Sequence, residues 1–392
     1  MAKDRRKRIC VVTATRAEYG LLRPIIKQLK QEPRFDVKVA VTGAHLSPEF
    51  GLTYREIEQD QIEIDKKIEI LLSGDTPSAI SKSMGLALIG FSEYFDEIRP
   101  DSLLVLGDRY ETLAVCAAAM NARIPIIHLY GGETTEGAID EAVRHSITKM
   151  SYLHLTSTER YRKRVIQLGE DPSHVFCVGA IGVENALKLP LLSREVLEKS
   201  LAFSLDKPYG VVTFHPVTLE EEMAETQCDA LLKAIDAFKD IKFIFTKANA
   251  DANGRIINSK LENYAASHDN SILFDSLGQL RYLSALKYAS FVLGNSSSGL
   301  VEAPSFHIPT INIGDRQKGR IQAESVINCQ PEFSSIVAAM ETALSESFKA
   351  RIRNIDNPYG KGDTSKMVAA IVERFLFEKD IQLKKTFYDI DF

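Results

Sequence analysis

The polar residues of this chain gather directly behind its apolar runs. The sharpest case is Gly294-Asn295-Ser296-Ser297-Ser298-Gly299, which follows the apolar stretch Tyr288–Leu293 and leads into a short helix pattern. A strand that ends in small residues and opens a helix offers free backbone N–H groups to an anion. Glycine and serine let a phosphate approach the main chain. Glu302, further along the same helix pattern, has the chemistry to accept hydrogen bonds from two ribose hydroxyls. Together these residues suit the diphosphate and sugar of a nucleotide, and the same sequence also suits a tight turn without a ligand.

Other strand ends repeat the pattern. Thr13, Thr15, Arg16 and Glu18 follow the first apolar run; Gly107, Asp108 and Arg109 follow Leu106; Gly131, Gly132 and Glu133 follow Leu129, with Asp140, Glu141, Arg144 and His145 beyond them. In the second half, His215 follows Phe214, Lys247 and Asn249 follow Thr246, and Asp315, Arg316, Lys318 and Arg320 follow Ile313. The first half thus offers carboxylates suited to proton transfer at carbon. The second offers phosphate and ribose partners, with His215 suited to stabilising or protonating a leaving group. Plainer roles stay open: a helix N-cap for Asp108, a first-turn position for Asp140 and Glu141, and packing for Arg144 and His145.

Several chemistries find no support. No Gly-x-Gly-x-x-Gly follows the first strand and no Gly-Lys-Ser/Thr occurs, so neither a nicotinamide dinucleotide site nor a P-loop is expected. The eight histidines and five cysteines (Cys10, Cys116, Cys177, Cys228, Cys329) lack metal-ligand or disulfide spacing, so no metal and no cofactor is expected. A net charge of −5 gives no reason to expect nucleic acid as a partner. No run approaches ~18 apolar residues, and the apolar stretch Ile9–Ala14 is too short for a signal peptide. No membrane partner and a cytoplasmic location are the expectations.

The elements that must position these groups alternate. Strands are predicted at Arg8–Ala14, Phe35–Thr42, Ser102–Leu106, Ile124–Tyr130, Leu153–Thr156 and His174–Val178. Helices are predicted at Tyr19–Gln31, Pro48–Asp60, Thr76–Ile98, Glu111–Asn121 and Ile139–Met150. The nearly all-apolar run Ser102–Leu106 suits a strand buried on both faces. Residues 179–207 form a seam with no strong strand. Strands then recur at Tyr209–Phe214, Ile241–Thr246, Ile272–Phe274, Ser290–Leu293 and Thr310–Ile313, with a terminal helix from Thr364. A chain of 392 residues suits two domains. The expected fold is α/β: two Rossmann-like doubly wound domains, 1–185 carrying the carboxylates and 186–392 binding the nucleotide, the helix at 364–378 being free to pack back on the first. The default active site for such a pair is the cleft between them.

Taken in order, the motifs resemble the hydrolysing UDP-N-acetylglucosamine 2-epimerases of sialic acid biosynthesis. They are Thr15-Arg16-Ala17-Glu18-Tyr19, Gly107-Asp108-Arg109-Tyr110-Glu111, Gly131-Gly132-Glu133, Ile139-Asp140-Glu141-Ala142-Val143-Arg144-His145, Phe214-His215-Pro216-Val217-Thr218, the serine run, and Gly314-Asp315-Arg316-Gln317-Lys318-Gly319-Arg320. The resemblance implies the glycosyltransferase-B-type architecture, UDP held mainly by the second domain, and no redox cofactor. It implies elimination of UDP to a 2-acetamidoglycal, then hydration with inversion at C2, releasing UDP and N-acetylmannosamine. Carried over, Asp108 and Asp140 match catalytic aspartates and His215 the histidine beside the diphosphate; Arg16, Arg109, Asn249, Ser296, Ser297, Glu302 and Arg316 match UDP contacts. A homodimer or homotetramer is implied as well.

One position departs from the pattern. Where the family often has His-x-Glu-Gly-Gly-Glu, this chain reads His128-Leu129-Tyr130-Gly131-Gly132-Glu133. A phenol with a pKa near ~10 is a poor base at neutral pH, so Glu133 is the expected replacement, with His128, Tyr130 and Asp140 as other ways to rearrange the proton transfers. The change also suits a branch acting on UDP-2,4-diacetamido-2,4,6-trideoxyglucose, on the route to legionaminic acid. A UDP-sugar glycosyltransferase or a non-catalytic UDP-sugar binder would share the same architecture.

Overall fold

In the computed structural model, residues 5–72, 76–134, 139–216, 223–248, 254–377 and 381–390 are described. The chain divides into two compact units, one of residues 1–133, 139–185 and 360–392, the other of residues 134–138 and 186–359.

The first unit alternates strand and helix: β1 (Lys7–Thr13), α1 (Arg16–Gln31), β2 (Phe35–Thr42), α2 (Tyr54–Gln59), β3 (Lys66–Ile68), α3 (Pro77–Ile98), β4 (Ser102–Leu106), α4 (Tyr110–Asn121), β5 (Ile126–Leu129), α5 (Asp140–Met150), β6 (Leu153–Thr156), α6 (Glu159–Gln167) and β7 (Val175–Cys177). The strands form one sheet in the order β3-β2-β1-β4-β5-β6-β7, and every pairing is parallel. Both faces of β1 are buried. Ile9 and Val11 join Leu22, Ile26 and Leu29 of α1 on one side, while Cys10 and Val12 join Phe91 of α3 and Val115 of α4 on the other. That explains an unbroken apolar strand where a half-exposed one would alternate.

Through α7 (Ile181–Lys188) the chain enters the second unit, which contains α8 (Arg194–Leu201), β8 (Tyr209–Thr213), α9 (Ala224–Asp236), β9 (Lys242–Thr246), α10 (Gly254–Ser267), β10 (Ser271–Phe274), α11 (Gly278–Tyr288), β11 (Phe291–Gly294), α12 (Ser298–Val301), β12 (Thr310–Ile313), β13 (Val326–Cys329), α13 (Phe333–Leu344) and α14 (Glu346–Ile352). Its sheet runs β10-β9-β8-β11-β12-β13, again all parallel. The chain then returns to the first unit with α15 (Thr364–Phe377), whose Val368, Val372, Phe375 and Leu376 pack into the same core as α1.

Two strands escape sequence reading, β3 and β13. Each lies at a sheet edge, and β3 is only three residues, two of them lysine. An edge strand buries too little to need an apolar run. The helix expected over 48–60 is shorter than predicted, since Gly51 at φ +84° separates a turn of 3-10 helix from α2.

The tail beyond α15 is tied to the first unit by a hidden ion cluster. Glu170, 1% exposed, accepts from Lys149 Nζ (2.6 Å), His154 Nε2 (2.9 Å) and Lys385 Nζ (2.5 Å). Lys385 also donates to the carbonyls of Lys149 and Ser151, capping the carboxyl end of α5. Burial pushes the Glu170 carboxyl up, but His154 and the two lysines pull it further down, from an ordinary 4.5 to about 2. A depressed carboxyl contributes stability above its unfolded value and loses it as pH falls through the folded one. The stability gap between wild type and Glu170→Gln is therefore full at neutral pH and closes as pH drops from 4.5 towards about 2. Urea unfolding of both proteins across that range checks this.

Candidate active site

In each sheet the strand order reverses at one place, between β1 and β4 in the first unit and between β8 and β11 in the second. Ligands of open α/β sheets bind beyond the carboxyl ends of the strands at such a switch point. Four of the sequence motifs fall there. β1 runs into Thr15–Glu18, β4 into Asp108 and Arg109, β8 into His215, and β11 into Asn295–Ser298.

The α1 start is built by a reciprocal cap. Thr15 Oγ1 accepts from the Glu18 N–H (3.3 Å), and Glu18 Oε2 accepts from the N–H groups of Ala14 (2.7 Å) and Thr15 (3.2 Å). Arg16, the first helical residue, is left exposed. Burial, with Glu111 nearby, raises the Glu18 carboxyl to about 7. Glu111 is itself buried and accepts from Arg109 Nε at 2.6 Å, which orients that guanidinium.

Three stretches of the first unit meet at Arg144. This α5 side chain is only 3% exposed. Its Nη2 donates to the Asp108 carboxylate, and its Nη1 donates to Glu141 Oε2 (3.0 Å) and to the Glu133 carbonyl (2.9 Å). Glu133 Oε1 accepts from Ser157 Oγ at 2.6 Å. Asp140 opens α5 beside Glu141 and is partly exposed. Behind them, His128 Nε2 meets the Gly107 carbonyl at 2.8 Å. A carbonyl only accepts, so this nitrogen carries the proton. Burial holds the imidazole near 3, so His128 is a neutral brace at physiological pH.

Tyr130 is committed elsewhere. It sits at φ +69°, and its phenol oxygen accepts from the Ile181 N–H at 2.8 Å, fixing the start of α7. This is a bracing contact inside the first unit.

In the second unit Asn295, 1% exposed, organises the loop. Its side-chain amide clamps the His215 main chain on both sides, accepting from the N–H (2.7 Å) and donating to the carbonyl (2.8 Å). Its own carbonyl accepts from Arg316 Nη1 (3.1 Å) and Gln317 Nε2 (2.8 Å). His215, Arg316 and the serine run are thus one constellation. Gly294 has to be glycine: at φ +131° a Cβ would lie 2.0 Å from the Thr213 carbonyl. Tyr282 lies beneath Ser296 and Ser298, and burial raises its phenol to about 12. The helix after the loop, α12, is a single turn, so an anion would rely on the loop's own N–H groups more than on a helix dipole. Glu302 ends that turn, partly buried. Asn249 lies outside the described residues. Among the described residues no group of three or more His, Cys, Asp or Glu side chains is placed to hold a metal ion.

A sequence model of the family described as UDP-N-acetylglucosamine 2-epimerase matches residues 27–373. The chain belongs to that family.

Among its relatives is a Campylobacter jejuni protein named GDP/UDP-N,N'-diacetylbacillosamine 2-epimerase (hydrolyzing), 45% identical over 88% of this chain and 89% of the relative. Another is the Escherichia coli polysialic acid biosynthesis protein P7, 43% identical over 98% of both chains. A Legionella pneumophila UDP-N,N'-diacetylbacillosamine 2-epimerase (hydrolyzing) is 35% identical over 92% of this chain and 93% of the relative. The fold matches crystal structures of UDP-GlcNAc 2-epimerases. The one from Neisseria meningitidis, bound to UDP-GlcNAc, aligns with TM-score 0.72 and 19% identity over 94% of this chain and all of the other. The one from Methanocaldococcus jannaschii, in complex with UDP-GlcNAc and UDP, aligns with TM-score 0.76 and 20% identity over 93% and 99%. The architecture of this epimerase is accordingly that of two Rossmann-like parallel-sheet domains of the glycosyltransferase-B type.

Within each unit, the predicted residues of this epimerase that the structure joins are Asp108 with the Glu133 segment, through Arg144, and His215 with Arg316, through Asn295. Of the joining residues, Arg144, Asn295 and His128 were named in the sequence, Arg144 with packing as its alternative and His128 as one way to rearrange the proton transfers, but none was given the joining role, and Gln317 stood only inside a motif. Their signal was present only as polar residues inside buried segments, which reads equally as packing. Among the described residues no helix is long and apolar enough to cross a membrane.

Proposed function

We propose that this protein is a hydrolysing UDP-sugar 2-epimerase that converts UDP-N-acetylglucosamine and water to UDP and N-acetylmannosamine, for nonulosonic acid synthesis in the cytoplasm. The observation that carries the reading is the division of groups between the switch points: carboxylates braced on Arg144 in one unit, and a serine loop clamped to His215 and Arg316 in the other. In this reading Ser296, Ser297, Arg316 and Glu302 hold UDP, with Arg16, Arg109 and Asn249 contributing. Asp108, Glu133 and Asp140 serve the sugar. A carboxylate takes the C2 proton, the C1–O bond breaks, and UDP departs with its new charge met by His215 and Arg316. Water then adds to C1 of the 2-acetamidoglycal, and a proton returns to C2 from the opposite face. Tyr130 is assigned no proton transfer: a phenol is a poor base at neutral pH, and its oxygen braces the Ile181 N–H. Glu133, with its carboxylate oriented by Ser157, is the base or acid in its place.

The diacetamido-trideoxy sugar nucleotide is a second reading. It is favoured by higher identity to the Campylobacter relative named for diacetylbacillosamine, 45%, than to the Neisseria UDP-N-acetylglucosamine 2-epimerase, 31%. An NMR time course in heavy water tests both. UDP appearing in step with a free sugar deuterated at C2 supports the epimerase, and the substrate that turns over decides the branch. Absence of C2 exchange on both compounds would sink the proposal.

We further propose a homo-oligomer formed through the first unit. Its support is the exposed trio Leu86, Leu88 and Ile89 on α3 (41%, 39% and 58% exposed). Light scattering is expected to give a multiple of 43.7 kDa, and Ile89→Lys to reduce it.

A further inference from the structure

We infer that Arg144 is the positioning residue of the proton-transfer site, holding Asp108 and the Glu133 segment in working register without touching the sugar. The inference rests on the epimerase reading above and deepens it. At 3% exposure the guanidinium has no surface to offer a substrate. Among the described residues the guanidinium reaches groups that would do the chemistry or carry them: the Asp108 carboxylate, the Glu141 carboxylate and the Glu133 carbonyl. Asp108, by contrast, keeps 23% of its side chain accessible, and Glu141 keeps 31%. One buried cation therefore sits behind two carboxylates that remain partly accessible.

The Gly107–Asp108 turn is gripped from two sides. His128 holds the Gly107 carbonyl and Arg144 holds the Asp108 side chain. The two grips are linked, since Thr148 Oγ1 donates to the Arg144 carbonyl (3.0 Å) and lies 3.3 Å from His128 Nδ1. Gly107 stands at φ +82°, so this turn has no side chain of its own to steady it. A planar guanidinium presents its donors as a rigid fork, whereas an ammonium is a rotatable point charge on a flexible stem. The same cation favours the ionised form of Asp108, the form a base requires. Glu141 is in turn within 3.3 Å of His145 Nε2, so among the described residues Asp108 and Glu141 are charged groups facing Arg144, with His145 behind the latter.

The test compares the wild type with Arg144→Lys and Arg144→Gln, measuring C2 deuteration, steady-state kinetics, UDP affinity by calorimetry and thermal melting. The expected result for Arg144→Lys is a fall in kcat of about 10–100-fold, with KM and UDP affinity within about threefold. In Arg144→Gln the acid limb of kcat is expected to move to higher pH, because Asp108 loses its partner cation. A merely structural role would lower the melting temperature and leave that limb in place. A variant with wild-type kcat, or one that loses UDP affinity as much as kcat, overturns the inference. So does failure of both variants to yield folded protein, which would make Arg144 a folding residue. A wild type without turnover overturns the epimerase reading and this inference with it, whereas a working wild type beside an unimpaired variant overturns this inference alone.

Discussion

Asp108→Asn is expected to abolish turnover, by roughly 10³-fold or more, while leaving UDP affinity nearly unchanged. Asparagine keeps the shape of the side chain and one acceptor for the Arg144 guanidinium, so the turn stays in place. Arg144 also retains Glu141 Oε2 and the Glu133 carbonyl, so its buried charge is not stranded. What is lost is the capacity to take a proton, and that loss falls on the transition state. Calorimetry with UDP and a deuterium-exchange assay at C2 separate the two effects. A large fall in UDP affinity in this variant would mean that Asp108 binds the nucleotide.

Glu302→Ala is expected to do the reverse. Loss of a charged acceptor for ribose hydroxyls costs about 1–3 kcal/mol of UDP binding, or roughly 5–150-fold in Kd. At saturating substrate the rate is expected to stay close to that of the wild type, since the ribose is remote from C2. In the proposed reading the residue stands where such a contact would form. It closes the single turn of α12, its N–H bonded to the Ser298 carbonyl at 3.0 Å, just beyond the serine loop. Comparable loss of UDP affinity in the Asp108 and Glu302 variants would contradict this separation of roles.

Much of this fold was readable before any coordinates. β4, at Ser102–Leu106, was legible because both its faces are covered, which demands an unbroken apolar run. α3 was legible from the Thr76 cap, which does accept from Ala79 N–H at 3.2 Å, and from Pro77 behind it. β3 and β13 were not, because an edge strand is held chiefly by main-chain pairing, which leaves little mark on side-chain choice. The site divides in the same way. Asp108, Glu133, Asp140, His215 and Arg316 could be nominated because ionisable residues just after buried strands are conspicuous. Tyr130 could be flagged only as a departure. Its bond to the Ile181 N–H spans more than fifty positions of sequence and has no local signature.

By itself, the sequence determined the alternation of strand and helix, and with it the doubly wound class and the polar residues at the strand ends. Those properties are local. Apolar runs, caps and glycine turns act over a few residues, and each leaves its mark where it acts. Only the tertiary structure decided the order of strands in each sheet, and hence that β1 with β4 and β8 with β11 form the switch points where the motifs meet. It decided that α15, which the sequence left free to pack back on the first unit, does so, with Val368 and Val372 in the core beside α1. It alone made Arg144 and Asn295 the hubs of their loops. Those outcomes depend on contacts between segments far apart in the chain, and burial of apolar faces, which drives such contacts, is not directional enough to name its partner in advance.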